Sequence, residues 1–66
     1  MKTVFVAILK HDDILCDCHI FKKPVTEDQA MMWFFRNSSV TEEFGFENDF
    51  ESFDDEFSIN ILESEI

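Results

Sequence analysis

Sixty-six residues with one glycine, one proline and a net charge of −10 make one small domain at most; a chain this short buries only about 60% of its unfolded surface. Plentiful Phe, Leu, Ile and Val exclude a disordered chain despite the charge. Lys2, Lys10, Lys22, Lys23 and Arg36 all lie in residues 1–36 beside five acids, while residues 37–66 hold the other ten acids and no base, a field that repels nucleic acid, phosphate and anionic membrane and steers basic partners.

In chain order, "TVFVAIL" (3–9) is apolar on both faces and suits a central strand. "KHDD" (10–13) is a polar break, and "ILCDCHIF" (14–21) resumes an alternation. That alternation puts Ile14, Cys16, Cys18 and Ile20 on one face and Leu15, Asp17, His19 and Phe21 on the other. Two strands about a four-residue break predict an antiparallel hairpin. The apolar start is too short for a membrane span and lacks a small-residue cleavage site, so no leader or anchor is expected.

Thr26 followed by Gln29 is a capping box, with Glu27 and Asp28 suited to the positive end of a helix dipole. The predicted helix begins within two residues of Glu27 and ends near Asn37. Trp33 and Phe34 should face the sheet. Met31, Met32 and Phe35 cannot all turn inward with them, and they are the candidate apolar interface for a homodimer or a partner.

In "FENDFESFDDEF" (46–57), Phe46, Phe50, Phe53 and Phe57 are spaced by four, three and four. That spacing predicts one aromatic helical stripe turned inward, with an irregular turn as the alternative because neighbouring acids repel. Glu42, Glu43, Glu47, Asp49, Glu51, Asp54, Asp55 and Glu56 are then left outside as a candidate acidic binding face. "SINILESEI" (58–66) returns to alternation and predicts a last strand near 58–63. The expected fold is a single α+β domain over 1–66 in ββαβ order. Strand 1 is central in a three-stranded antiparallel sheet, with one main helix and an acidic helix or loop before the last strand.

Chemistry-bearing patterns are sparse. Cys16 and Cys18 on one strand face would lie roughly 6.5–7 Å apart, poor for bridging each other, and they read as reduced thiols of a cytoplasmic protein. Cys16, Cys18, His19 and His11 lack the spacing of a zinc site. The acidic run lacks the alternating ligands of a calcium loop. No nucleophile set, phosphate loop or dinucleotide fingerprint occurs, so no metal, cofactor or catalysis is expected.

"QAMMWFFR" (29–36) resembles the sliding-clamp-binding box at Gln29, Met32 and Phe35, with Arg36 in the second aromatic place. "DFESFDDEF" resembles acidic-aromatic activation segments. In size and charge the whole chain resembles the small acidic proteins that phages use to disable host restriction, repair, transcription or CRISPR enzymes. That likeness implies a non-catalytic inhibitor in the host cytoplasm, whose acids imitate phosphates and block a basic nucleic-acid-binding protein, an RNase toxin included. The alternative is an interaction or oligomeric subunit that docks by the Met- and Phe-rich helix and keeps its acids for solubility.

Overall fold

The computed structural model describes residues 2–66. Strand β1 (Thr3–His11) pairs antiparallel with β2 (Ile14–Phe21) on one side and β3 (Phe57–Glu65) on the other, in the order β2-β1-β3. Helices α1 (Glu27–Asn37), α2 (Ser39–Glu43) and α3 (Phe50–Glu56) lie between β2 and β3 in the chain. The α+β domain with a central first strand is therefore as the sequence predicts.

The hairpin is tighter than "KHDD" suggests. Lys10 and His11 belong to β1, and only Asp12 and Asp13 turn, at φ 51° and 63°. Both central residues are left-handed, as a type I′ turn requires, because that turn's twist matches the strands it joins.

A bulge corrects the expected faces of β2. Leu9 pairs with Asp17 but Lys10 pairs with Leu15, leaving Cys16 as the extra residue. Alternation is reset there. Leu15 joins Cys18 and Ile20 on one face, while Cys16 packs against the core. The two cysteines do not share a face.

The core lies on the other face, under the helices. Ala7 and Leu9 of β1 and Phe57 and Ile59 of β3 meet Ala30, Met31 and Phe34 of α1, Val40 of α2 and Phe53 of α3. Alternate strand residues, including Val6, Ile8, Ile20 and Leu62, stay outside that cluster. The sheet thus has one covered and one uncovered face.

Helix α1 starts at the predicted capping box: Gln29 N–H donates to Thr26 Oγ1 at 3.1 Å, and Thr26 N–H donates to Gln29 Oε1 at 3.0 Å. Phe34 is fully buried. Trp33 is half-buried at the margin, its ring stacked on His19 with centroids 3.8 Å apart and edge-on to Phe21 at 5.7 Å. Of the candidate apolar interface, Met31 is buried in the core, and Met32 and Phe35 are half-buried. Phe35 stands edge-on to Phe50 and Phe53 at 5.2 and 5.5 Å. The acidic segment covers this side of the helix, so Met31 offers no surface to a partner.

Candidate functional site

The acidic segment is built from two short helices and the link between them. Helix α2 was not expected. Ser38 caps it by accepting from Val40 N–H at 3.2 Å, and donates to Asp17 Oδ2 of β2 at 2.7 Å. Thr41, buried, shares its hydroxyl between the Phe35 carbonyl at 3.1 Å and the Phe34 carbonyl at 3.3 Å, the latter also accepting from Ser38 N–H at 2.8 Å, and so helps satisfy the exposed acceptors at the end of α1. Ser-Ser-Val-Thr thus ends one helix and starts the next.

Gly45 then reverses the chain. Its N–H donates to Glu42 O at 3.1 Å and Phe46 N–H donates to Thr41 O at 2.9 Å, the paired bonds of a Schellman motif. Its φ is 77°, and open space surrounds the position of a Cβ, so the backbone angle selects glycine here and crowding does not. This turn carries Phe46 back against the core, with its ring 6.4 Å from Phe53 and 6.0 Å from Phe57. The expected stripe is corrected on that point. All four phenylalanines turn inward, but only Phe50 and Phe53 do so from α3; Phe46 arrives from a turn and Phe57 opens β3.

With the aromatics inward, Glu42, Glu43, Glu47, Asp49, Glu51, Asp54, Asp55 and Glu56 are all exposed. Two of the eight are occupied. Asp49 caps α3, accepting from Ser52 N–H at 3.1 Å and Ser52 Oγ at 2.8 Å. The backbone hydrogen bond, then the hydroxyl one, hold its carboxyl below the ordinary aspartate range, since both favour the charged form. Glu56 Oε2 lies 3.2 Å from His11 Nε2.

Glu42, Glu43, Glu47, Glu51, Asp54 and Asp55 remain. Among the described residues the ion pairs within 4.0 Å are those of His11 with Asp12 and Glu56, and no lysine or arginine pairs with an acid. Arg36 lines one groove with Glu42 and Glu47. Asp54, Asp55 and Glu56 occupy the last turn of α3, where no base accompanies them. That is the negative end of the helix dipole, where anions are disfavoured.

The sequence reading passed over Phe44. It ends α2, is 43% exposed and packs against His11 at 5.0 Å and Phe57 at 5.2 Å. It sets an aromatic ring within the acidic surface, and its signal is a phenylalanine between Glu43 and Gly45, outside the spacing of the stripe.

Among the described residues no group of three or more His, Cys, Asp or Glu is arranged to hold a metal ion, and no helix is long and apolar enough to cross a membrane. No protein-family model matches the chain, and no curated protein or solved structure matches it.

Proposed function

We propose that this chain is a non-catalytic binding protein that blocks a basic nucleic-acid-binding protein, presenting the carboxylates of residues 42–56 where the target expects phosphates. One observation carries the reading. Six exposed carboxylates stand on a segment that Phe46, Phe50 and Phe53 anchor to the core, and among the described residues no lysine or arginine forms an ion pair with them. Affinity for duplex DNA comes largely from one phosphate charge per roughly 1.7 Å of axis meeting Lys and Arg. A rigid acidic surface offers the same cationic groove a competing array without base edges. Surface acids kept only for solubility carry no such requirement for rigidity. Here capped short helices, a Schellman turn and four inward phenylalanines fix the backbone that bears them.

The target class is a nuclease of host defence, a repair or transcription protein, or an RNase toxin, met in a bacterial cytoplasm by a phage-type inhibitor. The Asp49 carboxylate belongs to the scaffold and Phe44 to the contact surface. The test is capture from a bacterial lysate on the immobilised chain, with duplex DNA as competitor. The expected result is retention of nucleic-acid-binding proteins that duplex DNA displaces and high salt elutes. Retention of proteins indifferent to both DNA and salt would overturn the reading.

A further inference from the structure

We propose that the acidic surface seats an arginine side chain of its target at the hairpin tip, where Ile14 and Phe44 form the apolar centre of the contact and Asp12, Glu43 and Glu56 its acidic rim. The inference rests on the proposed function and extends the contact surface from residues 42–56 to the turn between β1 and β2.

Of nine phenylalanines, eight are buried or half-buried and Phe44 alone is exposed, so packing of the core does not account for it. Its backbone is fixed, with Phe44 N–H donating to Val40 O at 3.0 Å and the Gly45 turn following. The ring rests on His11 and Phe57, centroids 5.0 and 5.2 Å away, and the residue is still 43% exposed. Ile14, 68% exposed, pairs with His11 across the hairpin. His11 follows the core residue Leu9 by two and so shares its face, the one that carries the helices. The other exposed large apolar residues are Leu15, Ile20 and Leu62 on the uncovered face and Ile66 at the last position. On the helix side, exposed apolar surface gathers in one place, beside His11.

Carboxylates border that place. Glu56 Oε2 lies 3.2 Å from His11 Nε2, and Asp12 Oδ2 lies 3.7 Å from His11 Nδ1. The second separation is beyond hydrogen-bond reach, so Asp12 keeps its acceptors for another donor. Glu43 precedes Phe44 and is exposed. Among the described residues no lysine or arginine forms an ion pair with any of the three. An exposed ring bordered by carboxylates is complementary to a guanidinium, which is planar and weakly hydrated. It stacks on the ring face while its fork of N–H donors reaches carboxylate oxygens. An ammonium meets the same charge without a flat face to lay on the ring. Arginine is also the residue with which basic proteins grip phosphates. Because Phe44 is held in place before contact, little side-chain freedom is lost on binding. An apolar centre inside a charged rim is where binding energy concentrates.

The probe is tetra-arginine amide, with tetra-lysine amide of equal charge beside it, titrated into the isotope-labelled full chain and followed by NMR. The largest amide shifts should fall at residues 11–14 and 43–45, with the arginine peptide bound more tightly. Phe44→Leu should weaken the arginine peptide by about two- to fivefold, the size of one exposed cation–π contact, and narrow its lead over the lysine peptide. Phe44→Trp should hold or strengthen it. Asp12→Asn, which tolerates the left-handed backbone of the turn, should weaken both peptides although it lies outside residues 42–56. Circular dichroism separates loss of fold from loss of contact; Ile14→Ser, at an exposed position, should weaken the arginine peptide too and serves if Phe44→Leu unfolds. Shifts spread evenly over residues 42–56 with no preference for arginine would overturn the inference. So would a Phe44→Leu variant that binds like the parent, or no binding of either peptide. The proposed function fails by a different result, the retention from lysate of proteins that neither DNA nor salt displaces.

Discussion

Asp12 and Asp13 both adopt positive φ, at 51° and 63°, where a type I′ turn favours Asn followed by Gly. A left-handed backbone costs a residue with a Cβ roughly 1–2 kcal/mol, with Asp among the more tolerant. Asp13→Gly should therefore stabilise the domain by about 1 kcal/mol in urea unfolding; no gain would mean that the turn is not left-handed in solution. Gly45 runs the other way. Its φ of 77° with open space around it predicts that Gly45→Ala costs about 1 kcal/mol through the backbone alone, measured in the same way.

Asp49 is the carboxylate with a resolved shift, lowered chiefly by the Ser52 N–H. A carboxyl depressed in the folded state stabilises above its unfolded value and loses that contribution as pH falls through the lower folded value. Asp49→Ala should thus lower the melting temperature at neutral pH, and the gap between variant and parent should close in strong acid, below the ordinary aspartate range. A gap that stays constant to the lowest pH at which both fold would show that the cap is not the cause.

Among the elements, α1 was the most legible. A capping box and two acids in its first turn are local signals, and they locate its start without tertiary information. Its inward face was only half legible. Phe34 is fully buried, but Trp33 lies half-exposed on His19 at the sheet margin, because His19 belongs to β2, an edge strand of the sheet. Phe34→Ala should therefore cost about 3–5 kcal/mol and leave the domain unfolded at room temperature, while Trp33→Ala costs less and remains folded. Circular dichroism of the two variants separates them; equal loss would place Trp33 in the core.

Three features were not legible, each for a physical reason. The bulge at Cys16 depends on the register with β1, and no pattern within "ILCDCHIF" states that register. Helix α2 has five residues, too few for a period to appear. Phe46 fits a helical spacing by coincidence, and the Schellman turn at Gly45 delivers it to the core instead. In the candidate site the outward placement of the acids followed from the phenylalanine spacing, whereas the commitment of Asp49 to a cap and of Glu56 to His11 depended on contacts.

At the scale of the whole molecule the charge is divided three ways. The helix side of residues 42–56 carries uncompensated acid, the hairpin tip ties His11 to Asp12 and Glu56, and the uncovered sheet face carries no acid. A molecule at −10 repels itself, so raising NaCl from about 20 mM to about 300 mM should raise its melting temperature. An unchanged or lower value would show that the repulsion is already relieved.

The same repulsion frames the central claim. On the proposed function, acids that repel one another, Asp54 and Asp55 in the last turn of α3 among them, are kept for the partner they bind. The direct measurement is the affinity of the captured target for the parent chain and for the variant Glu47→Gln, Glu51→Gln, Asp54→Asn and Asp55→Asn, each across a range of salt concentrations. Exposed single charges are individually worth about 0.2–1 kcal/mol, so four together should weaken binding by about fourfold to several hundredfold, flatten its salt dependence and leave the fold intact or more stable. A fourfold neutral variant that binds as tightly as the parent, with the same dependence on salt, would contradict the account.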